Sequence, residues 1–469
     1  MTGTLEIPLW LGVAAGLLAA WAAWDKLLVP ALRWFVSSRA NRVIDEIGAR
    51  LKIRIRPFQR TRRQALVHRL ATDPQVLQAA ERHAAERRMP ETEALALVER
   101  YAREIVPAFN AYLYFRIGYW LGRRISRALY RVRLGYVDAV GLAHIDPDAT
   151  VVFVMNHRSN MDYVLAAYLA ADQAALSYAV GEWARRWPLS ALIRAMGAYF
   201  VRRDSRDALY RRVLERYVAM ATEAGVPQAL FPEGGLTRDG RMRAPRLGVL
   251  DYMLRGFRPD GERDLVFVPL GLNYDRVLED RSLLLAGDPA APRPGTLRAL
   301  WNTWRFAWRN LVLMLKSEWH RFGYACVNFG APVSMRTYCR ARAIDFALLT
   351  GDARRTAVAA LGEELMQAVG RVVPVLPVPL IATVFARRPE RALSELEIKA
   401  EAEQLIEELA RNDARLYVPR RDLDYALHVG LRMLTLRRLV DEADGLYRAR
   451  PNEARLLAYY ANSIAHLLD

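Results

Sequence analysis

From about residue 136 onward, short apolar runs each give way to a polar turn and then to a helical pattern. Thr150 to Met155 (TVVFVM) stops at Asn156-His157, and Gln228 to Phe231 (QALF) stops at Pro232-Glu233-Gly234-Gly235. A third run, Leu265 to Leu270 (LVFVPL), stops at Gly271. Strands bounded by turn residues and alternating with helices predict an α/β sheet, in which active groups collect where the strands end. The flanks differ. Residues 37–135 are basic and helical in pattern, and the chain is helical again after about residue 341. There Ser394 opens SELEIKAEAEQLIEELA with a capping box to Glu397. Between them Val372 to Pro379 (VVPVLPVP) reads as an extended connector. No internal repeat is visible. The pattern divides the chain into residues 1–36, 37–135, an α/β domain over 136–340, and a helical C-terminal region over 341–469.

Residues 1–36 are the apolar extreme. Ile7 to Trp24 carries no charge, and a second apolar stretch runs from Leu27 to Val36. A run of about 18 residues is the lower limit for crossing a bilayer. No basic segment precedes it and no A-x-A site follows, so it reads as an anchor and not as a cleaved signal. Arginines crowd in behind it, at Arg33, Arg39, Arg42, Arg50, Arg54, Arg56, Arg60, Arg62 and Arg63. The positive-inside rule then places the rest of the chain on the cytoplasmic side of the membrane. The alternative is a buried core helix that spans nothing.

Two later stretches mix aromatics with arginine. Ala111 to Tyr136 interleaves Tyr112, Tyr114, Phe115, Tyr119, Trp120 and Tyr130 with six arginines and contains no acid. In Arg298 to Lys316, Trp301, Trp304 and Trp308 share a helical face beside Arg298, Arg305 and Arg309. Each suits a helix lying in a headgroup layer, and each equally suits a helix packed on its own core with its arginines in water.

Composition narrows the class. Of 469 residues, 53% are hydrophobic and 25% charged, with a net charge of +17. That is ample for a core but too charged for a polytopic membrane protein. The positive excess calls for an anionic partner, either nucleic acid or anionic lipid. The two cysteines, Cys326 and Cys339, form no CxxC pair and no disulfide framework.

Three blocks carry candidate chemistry. The first is Asn156-His157-Arg158-Ser159-Asn160-Met161-Asp162, directly after a strand. An aspartate five residues beyond a strand-end histidine can reach back to the imidazole and fix its tautomer, leaving the other ring nitrogen to accept a proton from a hydroxyl. This is the orienting half of a catalytic triad without the serine. Taken alone, a two-residue pattern is weak. The second block is Gly197-Ala198-Tyr199-Phe200-Val201-Arg202-Arg203, whose paired arginines suit a phosphate or simply the surface. The third is Phe231 to Gly240 (FPEGGLTRDG), where Gly234 and Gly235 permit close backbone approach to an anion, with Thr237 and Arg238 as donors. No Gly-Lys-Ser/Thr follows, so it is not a Walker loop, and no G-x-S-x-G elbow occurs.

In order and spacing these blocks resemble the glycerolipid acyltransferase superfamily: HRSNMD at 157–162, GAYFVRR at 197–203, FPEGG at 231–235 and VFVPL at 266–270. The first two, with Leu457 to Ser463 (LAYYANS), look like its bacterial glycerol-3-phosphate acyltransferase branch. The 1-acylglycerol-3-phosphate branch would carry Glu-Gly-Thr where this chain has Glu233-Gly234-Gly235. The resemblance implies a mixed α/β sheet with flanking helices and transfer of an acyl group from acyl-CoA or acyl carrier protein to glycerol 3-phosphate. It implies no metal and no other cofactor.

On the residues, the resemblance implies His157 as general base and Asp162 as its orienting partner, with Arg158 and Ser159 beside them. Arg203 with Arg202 would hold the phosphate. Glu233, Gly234, Gly235, Thr237 and Arg238 would complete the acceptor site, and Pro269 would shape the fourth block. One departure is Leu236, where many relatives have arginine, which leaves Arg238 or Arg241 to contact the phosphate. An anionic membrane surface is the expected partner. The rivals are the same chemistry on 1-acylglycerol 3-phosphate or dihydroxyacetone phosphate, and a membrane-tethered nucleic-acid binder, which no known nucleic-acid motif supports.

Overall fold

A computed structural model describes residues 56–170, 176–180, 189–202, 205–288 and 322–468. The apolar segment 1–36, the Trp/Arg stretch 298–316 and Arg203 lie outside the described residues. Among those described, no helix is long and apolar enough to cross a membrane.

Eight strands form the main sheet: β1 (Arg131–Val137), β2 (Thr150–Met155), β3 (Ser177–Val180), β4 (Ala198–Phe200), β5 (Gln228–Leu230), β6 (Leu265–Tyr274), β7 (Tyr324–Phe329) and β8 (Val333–Ser334). Their order is β1-β7-β6-β2-β5-β3-β4, with β8 paired to β6. The three apolar runs read from the sequence lie side by side at the centre, β2 between β6 and β5, parallel to both. A parallel strand covered on both faces loses the alternating pattern and becomes a continuous apolar run. Accordingly every residue of β6 is buried.

Successive side chains of β2 serve two cores. Val152 and Val154 point into a cluster with the helices Pro74–Arg87, Glu91–Ile105, Ala208–Glu223 and Gly351–Arg371. Phe153 and Met155 point the other way, to the helices Met161–Ala170, Pro377–Arg387 and Ala454–Ala461. The C-terminal helices therefore close the same sheet that carries the motifs.

Three expectations need correction. Among the described residues the helical reading of 37–135 holds only to Leu129, because Arg131–Val137 is an edge strand parallel to β7. Its alternation of Arg131 and Arg133 with Val132 and Leu134 is the period of a strand. The third apolar run does not stop at Gly271. It continues to Tyr274, pairing antiparallel with β7 from Leu270 to Tyr274, and only that tertiary partner makes its second half a strand. Third, the proline-rich connector is extended through Leu376 and then becomes the helix Pro377–Arg387, buried from Pro377 to Phe385. Proline is pre-set for the first helical position, where its missing N–H costs nothing. The C-terminal region also holds a small antiparallel sheet of Leu393–Ser394, Val440–Ala443 and Leu446–Ala449.

Candidate active site

The loop after β2 is held in place by hydrogen bonds to its neighbours. The Asn156 amide donates to the Leu272 carbonyl at 2.9 Å and accepts from the Leu272 N–H at 2.8 Å, tying the strand end to β6. His157 follows, 2% exposed. Its Nδ1 lies 3.0 Å from Asp162 Oδ2. The same carboxylate oxygen accepts the backbone N–H groups of Arg158 at 2.7 Å and Ser159 at 3.0 Å. Asp162 Oδ1 accepts the Tyr274 hydroxyl at 2.5 Å. Four donors converge on this one fully buried carboxylate. As an acceptor it selects the imidazole tautomer with hydrogen on Nδ1. Nε2 has no hydrogen-bond partner among the described residues, and the ring lines a cavity of 300 Å³. Phe231 and Tyr163 hold the ring, with centroids 4.3 and 5.3 Å away.

The Gly-rich block supports the histidine from the other side. Glu233 accepts the His157 backbone N–H at 2.9 Å and that of Arg243 at 3.2 Å, and the Thr237 N–H donates to the His157 carbonyl at 3.0 Å. Burial pushes the Glu233 carboxyl up to about 7 from its ordinary 4.5. Gly234 has φ of +66°, and the Arg246 side chain passes 2.5 Å from where a β-carbon would sit, so the position takes glycine for both reasons.

The raised Glu233 carboxyl predicts a pH dependence. Between pH 4.5 and about 7 the folded state keeps a proton that the unfolded chain has released, so this group's contribution to stability falls as pH rises through that window. The slope is at most roughly 1.4 kcal/mol per pH unit. Asp275, also pushed up to about 7 by burial, acts in the same direction. Glu233→Gln is therefore expected to shrink, without abolishing, the difference in urea midpoint between pH 5 and pH 8. An unchanged difference would remove Glu233 as a contributor.

The other sequence-predicted residues divide by position. Arg202 lines the cavity, but its guanidinium makes two bonds to Glu104, at 2.9 and 2.6 Å, and lies over the rings of Tyr101 and Tyr210. Arg158 is buried behind the loop, donating to the Gly240 carbonyl at 3.0 Å and lying over the Tyr459 ring. The Ser159 hydroxyl donates to Glu279 at 2.8 Å. Thr237 Oγ donates to the Arg241 carbonyl at 2.7 Å, and Gly235 is buried in the same turn. Arg238 is exposed and runs along Gly287, away from the cavity lining. Pro269 sits inside β6 opposite Val154, its carbonyl accepting the Gly330 N–H at 2.8 Å. Of the predicted set, then, His157, Arg202 and Gly234 face the cavity, and most of the others brace the loop.

Several contributors were not singled out from the sequence. Tyr274 and Glu279 are far from His157 along the chain, and no local signal marks them. Arg211 and Arg246 line the same cavity as the imidazole. Arg246 ends the basic run RMRAPR after the Gly-rich block, which was its only trace in the sequence.

A strand-end imidazole held by a buried carboxylate opens onto an arginine-rimmed cavity, an arrangement chemically able to take a proton from a hydroxyl beside an anionic group. The Acyltransferase family model matches residues 137–273, and the model of the glycerol-3-phosphate acyltransferase C-terminal region matches 310–468. The chain is thus similar to acyltransferase domains over those two regions. It is similar to the glycerol-3-phosphate acyltransferase of Actinobacillus succinogenes, at 27% identity over 87% of this chain and 50% of that one. Against the enzyme of the same name from Xanthomonas campestris the figures are 27%, 78% and 41%. Against that from Pasteurella multocida they are 26%, 86% and 50%. The chain thus spans about half the length of the curated relatives it matches. Among solved structures, the 1-acyl-sn-glycerophosphate acyltransferase of Thermotoga maritima covers 54% of this chain and 78% of that one at TM-score 0.31 and 16% identity, too low an overlap to build on.

Proposed function

We propose that this chain transfers a fatty acyl group from an acyl thioester, acyl-CoA or acyl carrier protein, to the sn-1 hydroxyl of glycerol 3-phosphate. The observation that carries this reading is the His157 Nδ1–Asp162 pair, with Nε2 open to a cavity rimmed by Arg202, Arg211 and Arg246. In the proposed reaction Nε2 takes the hydroxyl proton as the oxygen attacks the thioester carbonyl. Collapse of the tetrahedral intermediate breaks the C–S bond, and the imidazolium returns the proton to the departing thiolate. The reaction as written uses no cofactor beyond the thioester itself.

For the phosphate, the cavity residues Arg211 and Arg246 are better situated than Arg238. Arg202, bonded to Glu104, forms one wall of the site. Charge-assisted bonds contribute roughly 1.5–3 kcal/mol each. Arg246→Ala is therefore expected to raise the KM for glycerol 3-phosphate about 10- to 100-fold with little change in the KM for the thioester. An unchanged acceptor KM would take Arg246 out of the phosphate site.

The reaction belongs at a membrane surface, with the catalytic part on the cytoplasmic side and residues 7–24 as its anchor. The helix Tyr119–Leu129 supports a second contact. Trp120, Leu121 and Ile125 are exposed beside Arg123, Arg124 and Arg127, the composition of a helix lying on anionic lipid. Sedimentation with anionic vesicles is expected to weaken in Trp120→Ser with Ile125→Ser. Equal binding would exclude this face.

The experiment for the reaction is thiol release from palmitoyl-CoA with detergent-purified protein, with and without glycerol 3-phosphate. Release that depends on glycerol 3-phosphate is the expected result. Release with 1-acylglycerol 3-phosphate or dihydroxyacetone phosphate instead would reassign the acceptor.

A further inference from the structure

The helix Ala454–Ala461 lies at the far end of the sequence from the H-x4-D loop, yet it touches both segments that brace that loop. Its Tyr460 hydroxyl donates to Asp280 Oδ2 at 2.5 Å and accepts the Val277 N–H at 3.1 Å. Arg437 donates to the same Asp280 oxygen and lies over the Tyr460 ring. Asp280 is 5% exposed, so its charge is matched inside the protein by this arginine and hydroxyl.

The segment they fix, Tyr274 to Asp280, begins and ends at the catalytic loop. Its first residue gives its hydroxyl to Asp162. Glu279, immediately before Asp280, accepts from Ser159 Oγ at 2.8 Å and from Asn160 Nδ2 at 3.0 Å.

The second contact is with the Gly-rich block. The Arg158 guanidinium donates to the Gly240 carbonyl and lies over the Tyr459 ring, while its own backbone N–H donates to Asp162. Gly240 sits so close that an added β-carbon would be 1.9 Å from the Tyr459 carbonyl oxygen. Just beyond the helix, Asn462 Nδ2 donates to the Asp239 carbonyl at 2.9 Å. That turn returns to His157 through the Thr237 N–H.

We infer that Tyr460, through Asp280 and Glu279, is a positioning residue for His157, and that the C-terminal helix sets the geometry of the general base while touching no substrate. The inference rests on the acyl-transfer reading for its kinetic consequence but not for its structural one. A catalytic group must be held to a fraction of an ångström by its surroundings, and a displacement of about 1 Å costs on the order of 100-fold in rate. Tyr460→Phe keeps the ring and removes one donor and one acceptor. It is expected to lower kcat about 10- to 100-fold while leaving both KM values within about twofold.

The experiment compares Tyr460→Phe with Tyr447→Phe, a tyrosine of the same C-terminal region that has no link to the loop. It reads kcat and KM, and separately the rate of diethyl pyrocarbonate modification at His157, followed by mass spectrometry. The expected result is a fall in kcat and a severalfold change in His157 modification in Tyr460→Phe, with neither in Tyr447→Phe. Equal kcat and equal modification in a folded Tyr460→Phe protein would overturn the inference. If the unmutated protein transfers no acyl group to glycerol 3-phosphate, the proposed function fails, and the modification rates still decide the positioning role. Should Tyr460→Phe not fold, Glu279→Ala, which removes the last link of the same route to Ser159 and Asn160, carries the same two readouts, and no change in either would equally overturn it.

Discussion

Replacing His157 with alanine is expected to lower kcat for acyl transfer by about 10²–10⁴-fold, the usual contribution of a positioned general base. The cavity explains why no neighbour should compensate. Among the described residues, the other ionisable groups that line it are arginines and tyrosines, which are poor proton acceptors near neutral pH. The fold should survive, because the backbone N–H and carbonyl of residue 157, which bond to Glu233 and Thr237, remain in place. The check is steady-state thiol release from palmitoyl-CoA beside a thermal melt. A folded alanine variant with near-normal kcat would place the base elsewhere.

Asp162→Asn is expected to be as damaging to rate and worse for stability. The carboxylate accepts four hydrogen bonds, from the His157 ring, the Arg158 and Ser159 N–H groups and the Tyr274 hydroxyl. An amide offers a single accepting oxygen. If that oxygen stays with the two backbone N–H groups, the NH₂ meets the Tyr274 hydroxyl and the charge that supports an imidazolium is gone. If the amide turns over, two buried N–H groups lose their acceptor. A buried unsatisfied group costs roughly 1–3 kcal/mol, so the melt should drop as well. Loss of about 10²-fold or more in kcat, with a stability loss of about 2–4 kcal/mol by urea unfolding, is the expected result. A variant with unaltered rate would reduce the pair to a structural contact. Tyr274→Phe, which removes one donor of the four, should fall between this variant and the unmutated enzyme.

The sequence was most legible where the physics is local. The runs ending at Asn156 and Pro232 are strands because short, largely apolar stretches bounded by turn residues suit a sheet covered on both faces. The His157–Asp162 spacing brings imidazole and carboxylate together because five residues take the chain from a strand end into the first turn of a helix. The capping box at Ser394 and Glu397 forms as read, for the same local reason.

Where partners are remote, the sequence reading falls short. It assigned Glu233 and Thr237 to the acceptor by resemblance, whereas their hydrogen bonds run to the backbone of the loop and its neighbours. It ended β6 at Gly271, since nothing nearby announces β7 as the partner for residues 270–274. It left the C-terminal region without a task, because the contacts of Tyr459 and Tyr460 span long chain separations that no periodicity records.

By itself, then, the sequence determined the α/β class, the strand ends at Asn156 and Pro232, the histidine and aspartate that meet beyond the first of them, and the basic character that suits an anionic partner. These follow from residue type and short spacing. Only the tertiary structure decided which arginines face the cavity, which hydroxyl completes the Asp162 shell, and that the last helix braces the first motif. Those outcomes depend on where a closed sheet and its two cores bring distant segments into contact, and a buried polar group takes whichever partner the packing supplies.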